Sequence, residues 1–396
     1  MSQKRFAQFT IVFTLLILAC LVPALFSLSD ETLVLINGTI IDGTGAPPIN
    51  GSVIIINDGQ ISEMGFSENI DIPDSARIID LEGKFILPGF FNAHIHRGHS
   101  RSNLKAWARE GVTSVRDLGA TPRDNIFKFR DSVGKDPEYA RLVAAGPMVT
   151  VPGGYPNVPW GAPSGLPVKS TSDARQKVIR LLENGADIIK VALESGRSFG
   201  IKIPVLSLEQ ASAIVDVAHS GGTLVSAHVL TSNDLELALD AGVDDIAHMV
   251  TDNPTDDLIH RVVKDDVVWV PTLELWFGVD PDLGQIAIRN LSRFVEAGGT
   301  VALGTDYEGY NSRFDLGMPI REIRWMKESG MTAMQIITAA TQNAARVCNI
   351  GNKTGTLEEG KMADIIIVNG NPLENLDALL DVRMVIHNGS IIRDEH

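Results

Sequence analysis

A chain of 396 residues is too long for one small domain, and it suits a barrel of about 250 residues with a smaller companion. With 44% apolar residues, 6% aromatics and 36 glycines, it is composed like an ordinary globular α/β protein, which excludes disordered, fibrous and repeat architectures. The 34 basic and 49 acidic residues leave a net charge of -15, which repels phosphate backbones and excludes nucleic acid as a partner, and two cysteines, Cys20 and Cys348, imply no disulfide framework.

The first element in the chain is apolar. Lys4 and Arg5 precede a run from Phe6 to Leu28, broken mainly by Gln8, Thr10 and Thr14. A terminal run with no polar face is expected to target a membrane. Three fates stay open: cleavage near Ser27 and Ser29, lipid attachment at Cys20 in Ile17-Leu18-Ala19-Cys20, and retention as an uncleaved anchor, which the length of the run past Cys20 favours. Residues 1–30 are therefore read as a signal peptide or anchor. The basic flank stays cytoplasmic, so the body is expected to be membrane-anchored or secreted, outside the cytoplasm.

From Thr32 to Gly65, runs such as Leu33-Val34-Leu35-Ile36 and Val53-Ile54-Ile55-Ile56 are punctuated by the turn signals Asn37-Gly38 and Asp58-Gly59. The far end repeats this pattern, with Asp364 to Val368 before Asn369-Gly370 and Met384-Val385-Ile386 before Asn388-Gly389. Segments 31–84 and 350–396 are expected to form one small β-sandwich domain, with residues 85–349 inserted between them. That insertion holds eight β-rich runs separated by helix-period segments: Phe85 to His96, Val112 to Leu118, Arg141 to Gly146, Asp187 to Leu193, Thr223 to Val229, Asp244 to Val250, Val267 to Leu273 and Thr300 to Tyr307. Eight parallel strands with helical crossovers predict a (β/α)8 TIM barrel; no Gly-x-Gly-x-x-Gly turn or Walker loop supports an open nucleotide-binding sheet.

Functional groups of such a barrel gather at the C-terminal strand ends. His94 and His96 end the first run, His228 the fifth, His248 the sixth and Asp306 the eighth. Alternate residues of a strand share a face, so His94 and His96 can reach one ion, and the whole set offers the nitrogen and oxygen donors that zinc or manganese prefers. Lys190, inside Asp187-Ile188-Ile189-Lys190-Val191-Ala192-Leu193, has two readings. Either its stem lies along apolar surface with the ammonium in water, or it is a desolvated amine that takes up carbon dioxide and bridges a metal pair.

The segments "LPGFFNAHIH", "GVTSVRDLGA", "ADIIKVALE", "VSAHV", "DDIAHMV", "ALGTDY" and "AATQNAARVCNIGNKTGTLEEGKMADIIIVNGNP" resemble, in order, the motifs of the amidohydrolase superfamily, and most closely its dipeptidase and imidazolonepropionase-like branch. The resemblance covers essentially everything after residue 31. It implies two divalent ions, with zinc favoured over manganese, iron or cobalt. His94, His96 and Asp306 would hold one, His228 and His248 the other, and carboxylated Lys190 would bridge them. It also implies hydrolysis of an amide-like C–N bond of a small molecule such as a dipeptide or N-acyl compound, with Asp306 as the catalytic proton carrier. A cyclic amide or lactone substrate, or a non-catalytic tethered binding protein, is the alternative. Two departures stand out: Asn92 replaces the usual Asp before the first histidine, and Ala247 stands where many deaminating or ring-opening relatives carry Glu.

Six further residues are candidates for substrate contact. His99 follows the first metal motif and is otherwise a solvent-exposed loop histidine. Arg116 ends the second run as an internal ion pair or a carboxylate anchor. Tyr155 and Trp160 lie in the Gly/Pro-rich stretch from Met148 to Lys169, which is expected to border the mouth as a lid or a packed surface loop. Arg197 and Tyr307 complete the set. His219 and His260 fall in helical segments, and His387 and His396 lie away from the expected site. Self-association as a homo-oligomer stays open.

Overall fold

The computed structural model describes residues 32–121, 123–159, 161, 164–309 and 313–395. The expected membrane segment at 1–30 lies outside the described residues, as does Trp160. Among the described residues no helix is long and apolar enough to cross a membrane.

The insertion folds as an α/β barrel. Phe90–Ile95, Val112–Asp117 and Arg141–Ala144 pair in parallel, as do Val149–Thr150, Ile189–Ala192, Val225–His228, Asp245–Ala247 and Val268–Val270. The strands are runs of largely buried residues, many of them β-branched or small, as a parallel sheet covered on both faces requires. Two seams join these sheets into a ring. Asp187 N donates to Ala144 O at 3.0 Å on one side. On the other, the segment expected as the eighth strand forms no continuous ladder, yet it bridges Trp269 to Val301 and Ile95 to Tyr307 in parallel. Leu303 O accepts from Ala93 N, and Asp306 N donates to His94 O, both at 2.8 Å.

The crossover helices begin where sequence chemistry stops the strand. Thr171–Glu183 is capped by Ser170, Leu208–Ser220 by Ser207 in a capping box with Gln210, and Ser232–Ala241 by Thr231. Each cap oxygen accepts an otherwise orphaned N–H of the first turn.

The expected first strand, Phe85 to His96, is in fact two. Phe85–Pro88 leaves the barrel for the small sheet, and Phe90–Ile95 stays. The break falls at Gly89, where any Cβ would run into the Thr113 side chain, so only glycine lets the two strands approach.

Both chain ends build one eight-stranded sheet in the order Ser390–Asp394, Val382–His387, Ile365–Val368, Phe85–Pro88, Leu33–Ile40, Ile49–Asn57 and Gln60–Phe66, with Arg77–Asp80 parallel to Leu33–Ile40. The look-alike segments at the two ends do not pair with each other; Phe85–Pro88 lies between them. The expected sandwich is thus one continuous sheet, whose halves share a core of Leu33, Leu35, Ile54, Ile56, Ile365, Ile367, Met384 and Ile386. Ile366, Val368 and Val385, on the alternate face, belong to the large barrel core.

Candidate metal centre and active site

The barrel brings His94, His96, Lys190, His228, His248 and Asp306 to one mouth. The register Ala192 to His228 to Ala247 to Val270 aligns neighbouring strands at one level, so donors at adjacent strand ends converge. Nε2 of His94 and of His96 lie 3.1 and 2.9 Å from Asp306 Oδ1, and these three residues offer ligand atoms within 4.8 Å of one another. A second cluster adjoins: His248 Nε2 is 3.0 Å from His228 Nδ1, and the rings of His94 and His248 are 4.9 Å apart.

Two of these residues take unusual backbone or close packing to get there. His248 and Asp306 have φ of 74° and 61°, left-handed values that non-glycine residues adopt at a cost of order 1 kcal/mol or more, and such strain concentrates at functional sites. Asp306 is further confined by Gly309, where a Cβ would collide with its carboxylate. Asn92 takes over the supporting position beneath His94. It donates to Thr305 Oγ1 at 2.8 Å and accepts from Thr305 N and His94 N, so amide chemistry keeps the first and eighth segments joined.

The electrostatics follow from burial. Burial depresses the His94 pKa to about 3 against the pull of Asp306, and it likewise holds His228 and His248 well below their ordinary value, so these imidazoles are neutral donors. For His96, burial is outweighed by Asp306 and Asp117, and its pKa rises. Burial also pushes Asp306 upward, but the neighbouring His94 and His96 dominate and hold it well below the usual carboxylate range.

Lys190 is fully buried, so the surface-lysine reading falls away. Burial lowers its pKa to about 7, opposed by Asp245 and Asp306 and assisted by Arg116. Its Nζ has no hydrogen-bond partner among the described residues, and neither do His94 Nδ1 and His228 Nε2. Buried polar atoms left open in this way, together with the His, His and Asp donors, fit a divalent cation.

The remaining candidates separate. The Tyr155 ring stacks on His228 at 4.4 Å and 19°, which sets part of the Met148 to Lys169 stretch against the site. His99 is half-buried, with Nδ1 enclosed beside the loop that Asp117 pins through Gly98 N at 2.7 Å. Arg197 is exposed in a single 3-10 turn. Two are corrected. Arg116 is fully buried and forks onto Asp245 at 2.8 and 2.9 Å, while donating to Ala93 O and Val347 O, which makes it an internal ion pair enclosed in the barrel and not a substrate anchor. Tyr307 is almost fully buried and packs edge-on against Trp107 at 5.0 Å. His219 pairs with Asp244, His260 caps its own helix backbone at Asp256, and His387 is buried in the small sheet.

One supporting residue escapes sequence reasoning. Thr272, with φ of 50°, places Oγ1 3.0 Å from His248 Nδ1, fixing the ring that faces His228. Its only signal is its place just past the seventh strand. Trp276 follows in the next helix, its ring 6.2 Å from that of His248.

A parallel barrel with this donor set at its C-terminal mouth defines an enzyme scaffold built for a divalent metal. The chain belongs to the amidohydrolase family, whose sequence profile matches residues 85–392. Ochratoxinase from Aspergillus niger is 25% identical over 438 residues, spanning 92% of this chain and 87% of that protein. Imidazolonepropionase from Thermoplasma volcanium is 23% identical over 392 residues, 87% and 91% of the two chains. The crystal structure of a Xaa-Pro dipeptidase with bound methionine in its active site superposes with a TM-score of 0.79 at 24% identity, covering 91% of this chain and 99% of that one. The protein is a hydrolase acting on carbon–nitrogen bonds.

Proposed function

We propose that the enzyme hydrolyses the amide bond of dipeptides or related N-acyl compounds with two divalent ions, zinc first among them. His94, His96 and Asp306 would hold one ion and His228 and His248 the other. The observation that carries this reading is the buried, unpartnered Lys190 Nζ enclosed with both donor clusters. A neutral amine there can add its lone pair to carbon dioxide and release a proton, giving a carbamate that would join the residues holding the ions. Bound divalent ions supply Lewis acidity, lowering the pKa of water and polarising the scissile carbonyl.

The chain's own groups do the rest. Asp306 is ionised and within reach of both His94 and His96, so it can take a proton from the attacking water and deliver it to the leaving nitrogen. The Tyr155 ring stacks on His228 and covers that face of the imidazole. Ala247, where ring-opening relatives carry Glu, favours a linear over a cyclic amide. The apolar run from Phe6 to Leu28 supports an extracytoplasmic, membrane-tethered or secreted placement, which fractionation of the full chain checks.

Protein supplemented with zinc and bicarbonate should hold close to two metal ions per chain and turn over members of a dipeptide panel. Asp306→Asn should abolish turnover while sparing the fold. One ion or fewer per chain, with no dipeptide hydrolysed, would sink the reading.

A further inference from the structure

Lys190 lies in the fourth strand, Ile189–Ala192, and Leu193 and Glu194 follow its last residue. Val191 and Leu193 belong to the large apolar core around the barrel, and Leu193 N still donates to His228 O at 3.0 Å, so the strand register holds to that point. Glu194 therefore follows at the C-terminal end of the barrel, one residue past the last bond to the strand that ends in His228.

Glu194 is almost fully buried, at 1% exposure. Its Oε1 accepts from Gly196 N, but Oε2 is enclosed and has no hydrogen-bond partner among the described residues. The charge acting on it is another carboxylate, Asp234, which repels it. Asp234 is itself engaged: Oδ2 accepts from Thr231 Oγ1 at 2.8 Å and from Ser195 Oγ at 3.0 Å, and so clamps the residue next to Glu194. Gly196, at φ 85°, turns the chain, and Ile201 N and Ile203 N close the loop onto Gly196 O and Ser195 O, both at 3.0 Å. The carboxylate is thus presented by a rigid loop. Burial lifts its pKa to about 7, against the restraint of Gly196 N and Ser198.

A buried carboxylate with one free oxygen and an acidic neighbour lacks a cation. An ammonium group supplies the missing positive charge and up to three donors in one compact head. We propose that Glu194 is a substrate-recognition residue that binds the free α-ammonium group of an aminoacyl substrate, so that the enzyme selects dipeptide-like amides over their N-acylated counterparts. This rests on the reading of the site as an amide hydrolase. It also narrows that reading, because an N-acylated substrate brings no cation to Glu194.

The test pairs alanyl-p-nitroanilide with N-acetylalanyl-p-nitroanilide on the metal-loaded full chain, and adds calorimetric binding of alanine hydroxamate and its N-acetyl form. In wild type, kcat/KM and affinity should both favour the free amine. In Glu194→Gln that preference should shrink by about 10- to 100-fold, the worth of one charge-assisted hydrogen bond. Glu194→Asp, which keeps the charge, should retain more of the preference than Glu194→Gln. A preference unaltered in Glu194→Gln, or a wild type that binds both hydroxamates equally, overturns the role of Glu194. If neither anilide is hydrolysed, the amide-hydrolase reading is in trouble, while the hydroxamate pair still decides whether Glu194 selects an ammonium.

Discussion

Replacing Arg116 by Met tests the ion pair that crosses the barrel interior. Arg116 and Asp245 are both fully buried, and the guanidinium meets both carboxylate oxygens while also donating to Ala93 O and Val347 O. With the guanidinium gone, Asp245 keeps Ser226 Oγ, at 2.7 Å, as its side-chain partner, and two buried carbonyls lose their donor. Breaking a buried pair from one side costs about 3–5 kcal/mol, because the desolvated charge that remains is uncompensated. Spread over the unfolding entropy of 396 residues, that is a drop in Tm of about 4–6 °C. Calorimetry of the metal-free protein measures it, and the Arg116→Met, Asp245→Leu pair should recover at least half of the loss. A single variant within about 1 °C of wild type, or a double variant as unstable as the two singles combined, would refute the reasoning.

Two other perturbations probe the site and the small sheet. Thr272→Val removes the hydroxyl that holds His248 Nδ1, and should weaken metal affinity about 10- to 100-fold in a chelator competition, with Thr272→Ser close to wild type; equal affinities for all three would rule out the support role. Asp364 is pushed up by burial, but Arg141 at 2.7 Å, His387 and the Asn388 N–H hold it well below the usual carboxylate range. Its folded pKa lies below its unfolded one, so its stabilisation is complete above about pH 4 and fades as pH falls through the folded value. The Tm gap between wild type and Asp364→Asn should therefore narrow from pH 6 to pH 3, and a gap constant across that range would contradict the assignment.

Strand-end placement makes the donor set legible in the sequence, because a parallel barrel has one functional face and alternation decides which side chains reach it. Tyr307, next to Asp306, is not separable from it in the sequence, and packing alone turns its ring onto Trp107. Lys190 is ambiguous in the sequence, since an apolar strand accommodates both a buried amine and an outward one. Only tertiary packing leaves its Nζ enclosed. Arg116 is equally two-sided, because its partner lies 129 residues away on the opposite wall. Left-handed conformations at His248, Thr272 and Asp306 carry no local signal, being imposed by the ring of loops and not by residue preference. The division at Gly89 is hidden because a barrel strand and a sheet strand share the same apolar composition.

That division also orders events as the chain emerges during synthesis. Phe85–Pro88 finds one neighbour, Leu33–Ile40, almost at once, but its other edge waits for Ile365–Val368, after the whole barrel has been made. An open edge of this kind invites pairing with the wrong strand until its proper partner arrives. The final sheet strands therefore act as a latch: a chain cut short before residue 365 would keep every candidate metal donor and still carry an exposed, aggregation-prone seam beside the first barrel strand.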